Sequence, residues 1–294
     1  MVDAEAIFRR YEEVRPRFPQ SATAAPQVEI CSLLDIADEV DAFVFDAFGV
    51  LNVGERLIDG ADKRLDQLRA RKCTIRVLTN AASYDRDGAI AKFKRLGLAL
   101  DDDEIVTSRE AALGNLPTGH LGVIAGEWDR LADIRQPFTR LADNADTFYA
   151  VDAFLFLSTS QWTDARQDLL LTSMARHPRP LIIANADLAA PREDGFTLEP
   201  GHYGHLVADA FPSWVRFFGK PFQDVYEIVE GTLPGIERKR IAMCGDTLHT
   251  DILGAAAFGW RTVLVTADGL FAGLDAEGYC RRCDLYADWR LDKI

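Results

Sequence analysis

Residues 43–52 read Phe-Val-Phe-Asp-Ala-Phe-Gly-Val-Leu-Asn, FVFDAFGVLN. A short β-prone run ends in a single carboxylate, Asp46, with a glycine, Gly49, three residues later. Strands of this kind end in loops that face a crevice, and in doubly wound sheets ligands bind outside the strands' carboxyl ends. Two residues past the acid stands Phe48, whose side chain can neither give nor take a proton.

Outward from that stretch, β-rich runs alternate with helical patterns: AFVFDAF, DGADKRLDQLRARKC, TIRVLTN, then DRDGAIAKFKRLGL. The same rhythm returns in KPFQDVYEIVEGTL, RIAMCGD, TDILGAAAFGW and TVLVTAD. Strands separated by helices of this length form βαβ units on a parallel sheet. The expected fold class is therefore α/β, a doubly wound Rossmann-like core. Between the two halves HLGVIAGEW, DAFLFLS, ARQDLLLTSMARH and PLIIANAD form a separate set of strand and helix signals, read as an inserted smaller α/β cap. The expected division is a helical amino-terminal extension over 1–38, a core over 39–118 and 209–294, and a cap over 119–208. Leu116–Gly119 and Gly201–Gly204 are the expected hinges, and Ser21–Gln27 an Ala- and Ser-rich joint. A cap beside the carboxyl ends of the strands is a natural lid.

The 294 residues are 48% apolar and 27% charged, the balance of a globular protein with a large core. A net charge of -13 argues against nucleic acid and anionic membrane surfaces as partners, while leaving room for a small anionic substrate. No stretch approaches the roughly 20 apolar residues of a membrane span, and the amino terminus lacks the apolar segment of a secretory signal. Five unevenly spaced cysteines fit a reducing compartment, so a cytoplasmic location is expected. The oligomeric state stays open, a homo-oligomer included.

Four places near strand ends carry chemistry: Asp46, Thr79-Asn80, Lys220, and Asp246 with Asp251. Asp46, Asp246 and Asp251 are hard oxygen donors suited to one Mg2+. Asp46 can attack phosphorus to give an aspartyl-phosphate. Thr79, the backbone amides around Phe48 and Gly49, and Lys220 can stabilise the charge on a phosphoryl group in transfer. Lys220 also offsets the crowding of three carboxylates. Taken singly, each of these residues reads more readily as a turn, a helix cap or a solvated surface group.

Together, FVFDAFGVLNVGE, VLTNAAS, GKPFQDVY and MCGDTLHTDILGA resemble the four ordered motifs of the haloacid dehalogenase (HAD) superfamily, over about residues 40–270. The cap-sized insertion resembles class IIA, the nitrophenylphosphatase and pyridoxal phosphatase type. The resemblance implies Asp46 as nucleophile and Thr79 and Asn80 on the phosphate. It implies Lys220 as charge balancer, with Asp246, Asp251 and the Phe48 main-chain carbonyl at magnesium. It also implies a substrate-facing cap loop that includes Asn185 and Asp187, and a small phosphorylated metabolite as substrate. Phosphatases of this superfamily read Asp-x-Asp; Phe48 replaces the second acid, which protonates the leaving oxygen. General acid–base assistance is worth about 10²–10⁴ in rate, so the expectation is a specialised or slow phosphatase. Two other readings stand beside it: a regulatory homologue that binds a phosphorylated ligand without turnover, and a metal-independent 2-haloacid dehalogenase.

Cys280-Arg-Arg-Cys283 lacks the second pair a structural zinc site needs. His202 and His205 read as satisfied loop histidines, His249 as lining the crevice or facing solvent, and Trp128 and Trp162 as cap core.

Overall fold

The computed structural model describes residues 3–21 and 27–294. Most of the joint expected over Ser21–Gln27 falls on residues 22–26 and lies outside the described residues. The main sheet has seven strands in the order Val28–Glu29, Trp289–Leu291, Arg261–Val265, Ile241–Gly245, Ala42–Phe45, Thr74–Thr79, Ile105–Thr107. All adjacent pairs are parallel, which bears out the α/β reading. Ala42–Phe45 is buried along its whole length. Its alternate residues serve opposite cores, as a two-residue repeat requires. Phe43 and Phe45 pack with Leu65, Leu68, Ile90 and Phe93 from two helices. Ala42 and Val44 join Val225, Tyr226, Val229 and Ala255 from two others. The strand order reverses at Ala42–Phe45, the switch point at which a crevice opens.

A second sheet runs Val215–Phe217, Leu181–Ile183, Ala153–Phe156, Leu121–Ile124, Phe138–Arg140, again parallel throughout. Its outer strand comes from beyond residue 208, at which the sequence reading closes the cap. Leu181–Ile183 needs a partner on its open edge, and Val215–Phe217 supplies it. Nor is Gly201–Gly204 a hinge loop: it belongs to the helix Pro200–Ala210. No helix among the described residues is long and apolar enough to cross a membrane.

The amino-terminal segment is more than a helical extension. Its helix, Ala4–Val14, is capped by Asp3 and buries Ala4, Ile7, Phe8, Tyr11 and Val14, the i, i+3, i+4, i+7 stripe of one face. The first strand, Val28–Glu29, pairs with Trp289–Leu291 at the edge of the main sheet. The helix itself lies against both halves of the molecule. Tyr11 stacks on His249 with centroids 4.9 Å apart, and its hydroxyl accepts from Leu188 N at 3.1 Å. Glu12 meets His249 Nε2 at 2.7 Å, while Arg10 and Arg17 each reach Asp209 at 2.7 Å. His249 is thus fully buried, contrary to both sequence readings of it, because the amino-terminal helix covers it. Tyr11→Phe, which strands the buried Leu188 N–H, should cost about 1–3 kcal/mol in urea denaturation. Tyr11→Ala should cost about 3–5 kcal/mol. Wild-type stability in Tyr11→Ala would mean that the helix does not dock.

Candidate active site

Three strands of the main sheet end side by side, and their following residues converge. Asp46 follows Ala42–Phe45, and its N–H donates to Cys244 O at 2.9 Å, fixing it beside the strand that leads to Asp246. Thr79 ends its own strand. Lys220, only 1% exposed, sits at the centre. Its ammonium forms ion pairs with Asp46 Oδ1 at 2.6 Å and Asp251 Oδ1 at 2.7 Å and donates to Leu78 O at 3.1 Å. Asp46, Asp246 and Asp251, all buried, offer carboxylate oxygens within 4.8 Å of one another.

So many acids around one ammonium distort their protonation. Burial would strip Lys220 of its proton, but the charges of Asp251, Asp46 and Asp187 outweigh it and raise its pKa. Burial pushes Asp246 upward, helped by Asp251 and Asp46. Asp251 is raised by burial too, against the pull of Lys220. Backbone donors steady both acids: Leu270 N gives to Asp246 Oδ2 at 2.7 Å and Thr247 N to Asp251 Oδ2 at 3.0 Å. A set of hard oxygens holding surplus negative charge fits a small divalent cation.

Two residues read as phosphate ligands are otherwise engaged. Asn80 Oδ1 accepts from Lys220 N at 2.7 Å, while Nδ2 donates to Lys220 O at 2.9 Å and to Asp187 Oδ1 at 2.8 Å. Both side-chain donors are used, so the carboxamide clamps the Lys220 backbone and leaves none for a phosphate. The clamp needs glycine at 219, with φ +102°, where a Cβ would come within 2.5 Å of Asn80 Oδ1. The Gly49 amide is likewise committed, donating to Asn52 O at 2.8 Å in the turn after Asp46. Gly49 instead lets the turn approach Asp246, whose Oδ2 would lie 2.6 Å from a Cβ there. Thr79 is free in this respect: its hydroxyl oxygen accepts from Ala81 N at 3.1 Å and keeps its own hydrogen.

Asn185 and Asp187 follow the second-sheet strand Leu181–Ile183. Asn185 Oδ1 accepts from Asp187 N at 2.9 Å. Burial, with Asp46 and Asp251 adding to it against Lys220, raises the Asp187 carboxyl well above the usual carboxylate range.

A cavity of about 350 Å³ opens beside these groups, with Phe48, Asn185 and Asp187 among its lining. The sequence reading missed three more of its residues: Lys92, Arg192 and Glu199. Lys92 lies on the helix Arg86–Arg95, with Nζ 3.8 Å from the Phe48 ring centroid. Arg192 stands 4.7 Å from the same centroid. Burial lowers the Lys92 pKa to about 8. Arg192 ends the first strand of a hairpin pairing Ala189–Arg192 with Gly195–Leu198, and Glu199 follows the second. Its signal was available in Asp194-Gly195, a strong hairpin dipeptide. Trp128, expected in the cap core, is 54% exposed and lines the cavity, whereas Trp162 is buried.

Known proteins share this architecture. The sequence model of the family described as haloacid dehalogenase-like hydrolase matches residues 43–126, and one described as HAD-hydrolase-like matches residues 217–288. Chronophin of Mus musculus is 30% identical over 264 residues, covering 84% of this chain and 88% of that protein. A possible sugar phosphatase from Cytophaga hutchinsonii has the same fold, with a TM-score of 0.79 at 22% identity over 90% of this chain and 98% of that one. So does a glycerol phosphate phosphatase from Mycobacterium tuberculosis solved in complex with magnesium, with a TM-score of 0.61 at 24% identity over 80% and 70%.

The raised carboxyls set a pH signature. A carboxyl whose folded pKa exceeds its unfolded value of about 4 withdraws stability as pH rises through that interval. A cation that replaces the protons restores it. Magnesium should therefore raise the melting temperature by an increment that grows with pH above about 4. An increment independent of pH would count against a cation shared by the three acids.

Proposed function

The chain belongs to the haloacid dehalogenase-like hydrolases and is an enzyme of phosphatase type; on that premise we propose that it hydrolyses a small phosphorylated metabolite through an aspartyl-phosphate at Asp46, with Mg2+ as cofactor. The observation that carries the reading is the buried meeting of Asp46, Asp246 and Asp251, the first and last of them paired with Lys220. Asp46, the Phe48 carbonyl, Asp246 and Asp251 would hold the ion, which when bound offsets negative charge on the phosphoryl oxygens.

Asp46 attacks phosphorus and the leaving oxygen departs; water then cleaves the acyl phosphate and restores the carboxylate. Lys220 keeps Asp46 oriented and balances charge, Thr79 donates to a phosphoryl oxygen, and Asn80 holds Lys220 in position. The second sheet acts as a cap whose Asn185 and Asp187 face the substrate. Phe48 supplies no proton, so leaving groups that depart as stable anions are favoured. With five free cysteines and no helix able to span a membrane among the described residues, the cytoplasm is the proposed location.

Turnover of aryl phosphates is the direct test. p-Nitrophenyl phosphate should be hydrolysed with magnesium and not after chelation, and Asp46→Asn should lower kcat by at least 10³. Rates across a phenol series should fall steeply as leaving-group pKa rises. A flat series would show that another residue supplies the proton. Tight phosphate binding without turnover would favour the regulatory reading, and chloride release from 2-chloropropionate without metal the dehalogenase.

A further inference from the structure

We propose that Lys92, seconded by Arg192 above the Phe48 ring, receives a carboxylate carried by the substrate beside its phosphate, so that the enzyme acts on short phosphorylated acids. This deepens the phosphatase reading and rests on it.

Lys92 is 4% exposed, and lysine is almost never this buried without a counter-charge. Among the described residues its ammonium has no hydrogen-bond acceptor and no ion pair; its close polar contact is with the face of Phe48 at 3.8 Å. A ring face compensates a cation only in part. The strongest opposing charge it feels is that of Glu55 on the exposed hairpin at the cavity rim, which stays beyond ion-pair reach. The other acids of the cavity are engaged. Glu199 takes hydrogen bonds from Arg192, Thr197 and Asn185, and Asp187 is bound by Asn80. An ammonium is thus left facing the cavity with its charge unmatched.

Arg192 brings a second donor to the same ring, 4.7 Å from its centroid. Its Nε donates to Thr197 Oγ1 at 3.0 Å and Nη2 to Glu199 at 3.2 Å, leaving Nη1 without a partner among the described residues. Both cations stand over one ring, and that ring is two residues from Asp46. An anionic group held there is joined to a phosphate at Asp46 by a short tether. A carboxylate brings one charge to one unmatched ammonium. A second phosphate would bring up to about two into a cavity already lined by Glu55, Asp187 and Glu199.

The test compares two unreactive ligands of the same length, 3-phosphonopropionate and propylphosphonate, as inhibitors of p-nitrophenyl phosphate hydrolysis. In the wild type the carboxylated ligand should bind about 10–100-fold tighter, the range for a charge-assisted hydrogen bond. In Lys92→Met, whose side chain can still pack on Phe48, and in Lys92→Gln, the ratio should shrink to within about threefold. A wild-type ratio near one, or a ratio that survives both substitutions, overturns the proposal. The wild-type comparison needs no variant to fold. If p-nitrophenyl phosphate is not turned over, the phosphatase reading fails, and the same ratio measured by calorimetry still decides the carboxylate subsite.

Discussion

The organisation of this molecule depends on one buried ammonium. Lys220 Nζ reaches Asp46, Asp251 and a backbone carbonyl together, and those groups arrive from separate strands of the sheet. Two like charges about 4 Å apart repel by about 4 kcal/mol at an effective dielectric near 20. Three carboxylates in such a space would push the strand ends apart or hold protons. One lysine offsets only part of that, which is why Asp246 and Asp251 remain shifted upward. The arrangement is therefore electrostatically incomplete, and a bound cation would complete it. Its rigidity comes from outside the charge cluster, in the Asn80 clamp on the Lys220 backbone and the N–H donors of Thr247 and Leu270.

The sequence showed those parts of the site whose meaning is local. Apolar runs at 42–45, 74–79 and 241–245 announce strands, and an acid or threonine at or just past the end of each points at the crevice. Side-chain direction was not legible. Asn80 looked like a phosphate ligand, yet its amide turns to Lys220, and Gly49 closes a turn with the N–H expected to face the phosphate. Lys92 in AIAKFKRLG reads as a solvated lysine until the helix face is known to pack on Phe48. His249 could not be placed because its partner Glu12 lies 237 residues earlier. The cap boundary was missed for a related reason. Val215–Phe217 looks like the start of the returning core, and only the open edge of Leu181–Ile183 reveals which sheet it joins.

Phe48 joins the fold to the chemistry. An acid at that position would bring a proton donor, and with it a counter-charge for the lysine now packed on the ring. An aromatic side chain does neither: it fills the space, offers a π face to Lys92 and Arg192, and leaves that side of the cavity cationic. On the proposed reading, the residue that withholds acid assistance would also raise the cavity's preference for negative charge. A site of this kind would discriminate between substrates by what they carry, both in the stability of the group that leaves and in any anion that meets Lys92. On the two proposals together, loss of one catalytic function and gain of one binding function would have a single cause, a ring in place of a carboxyl group.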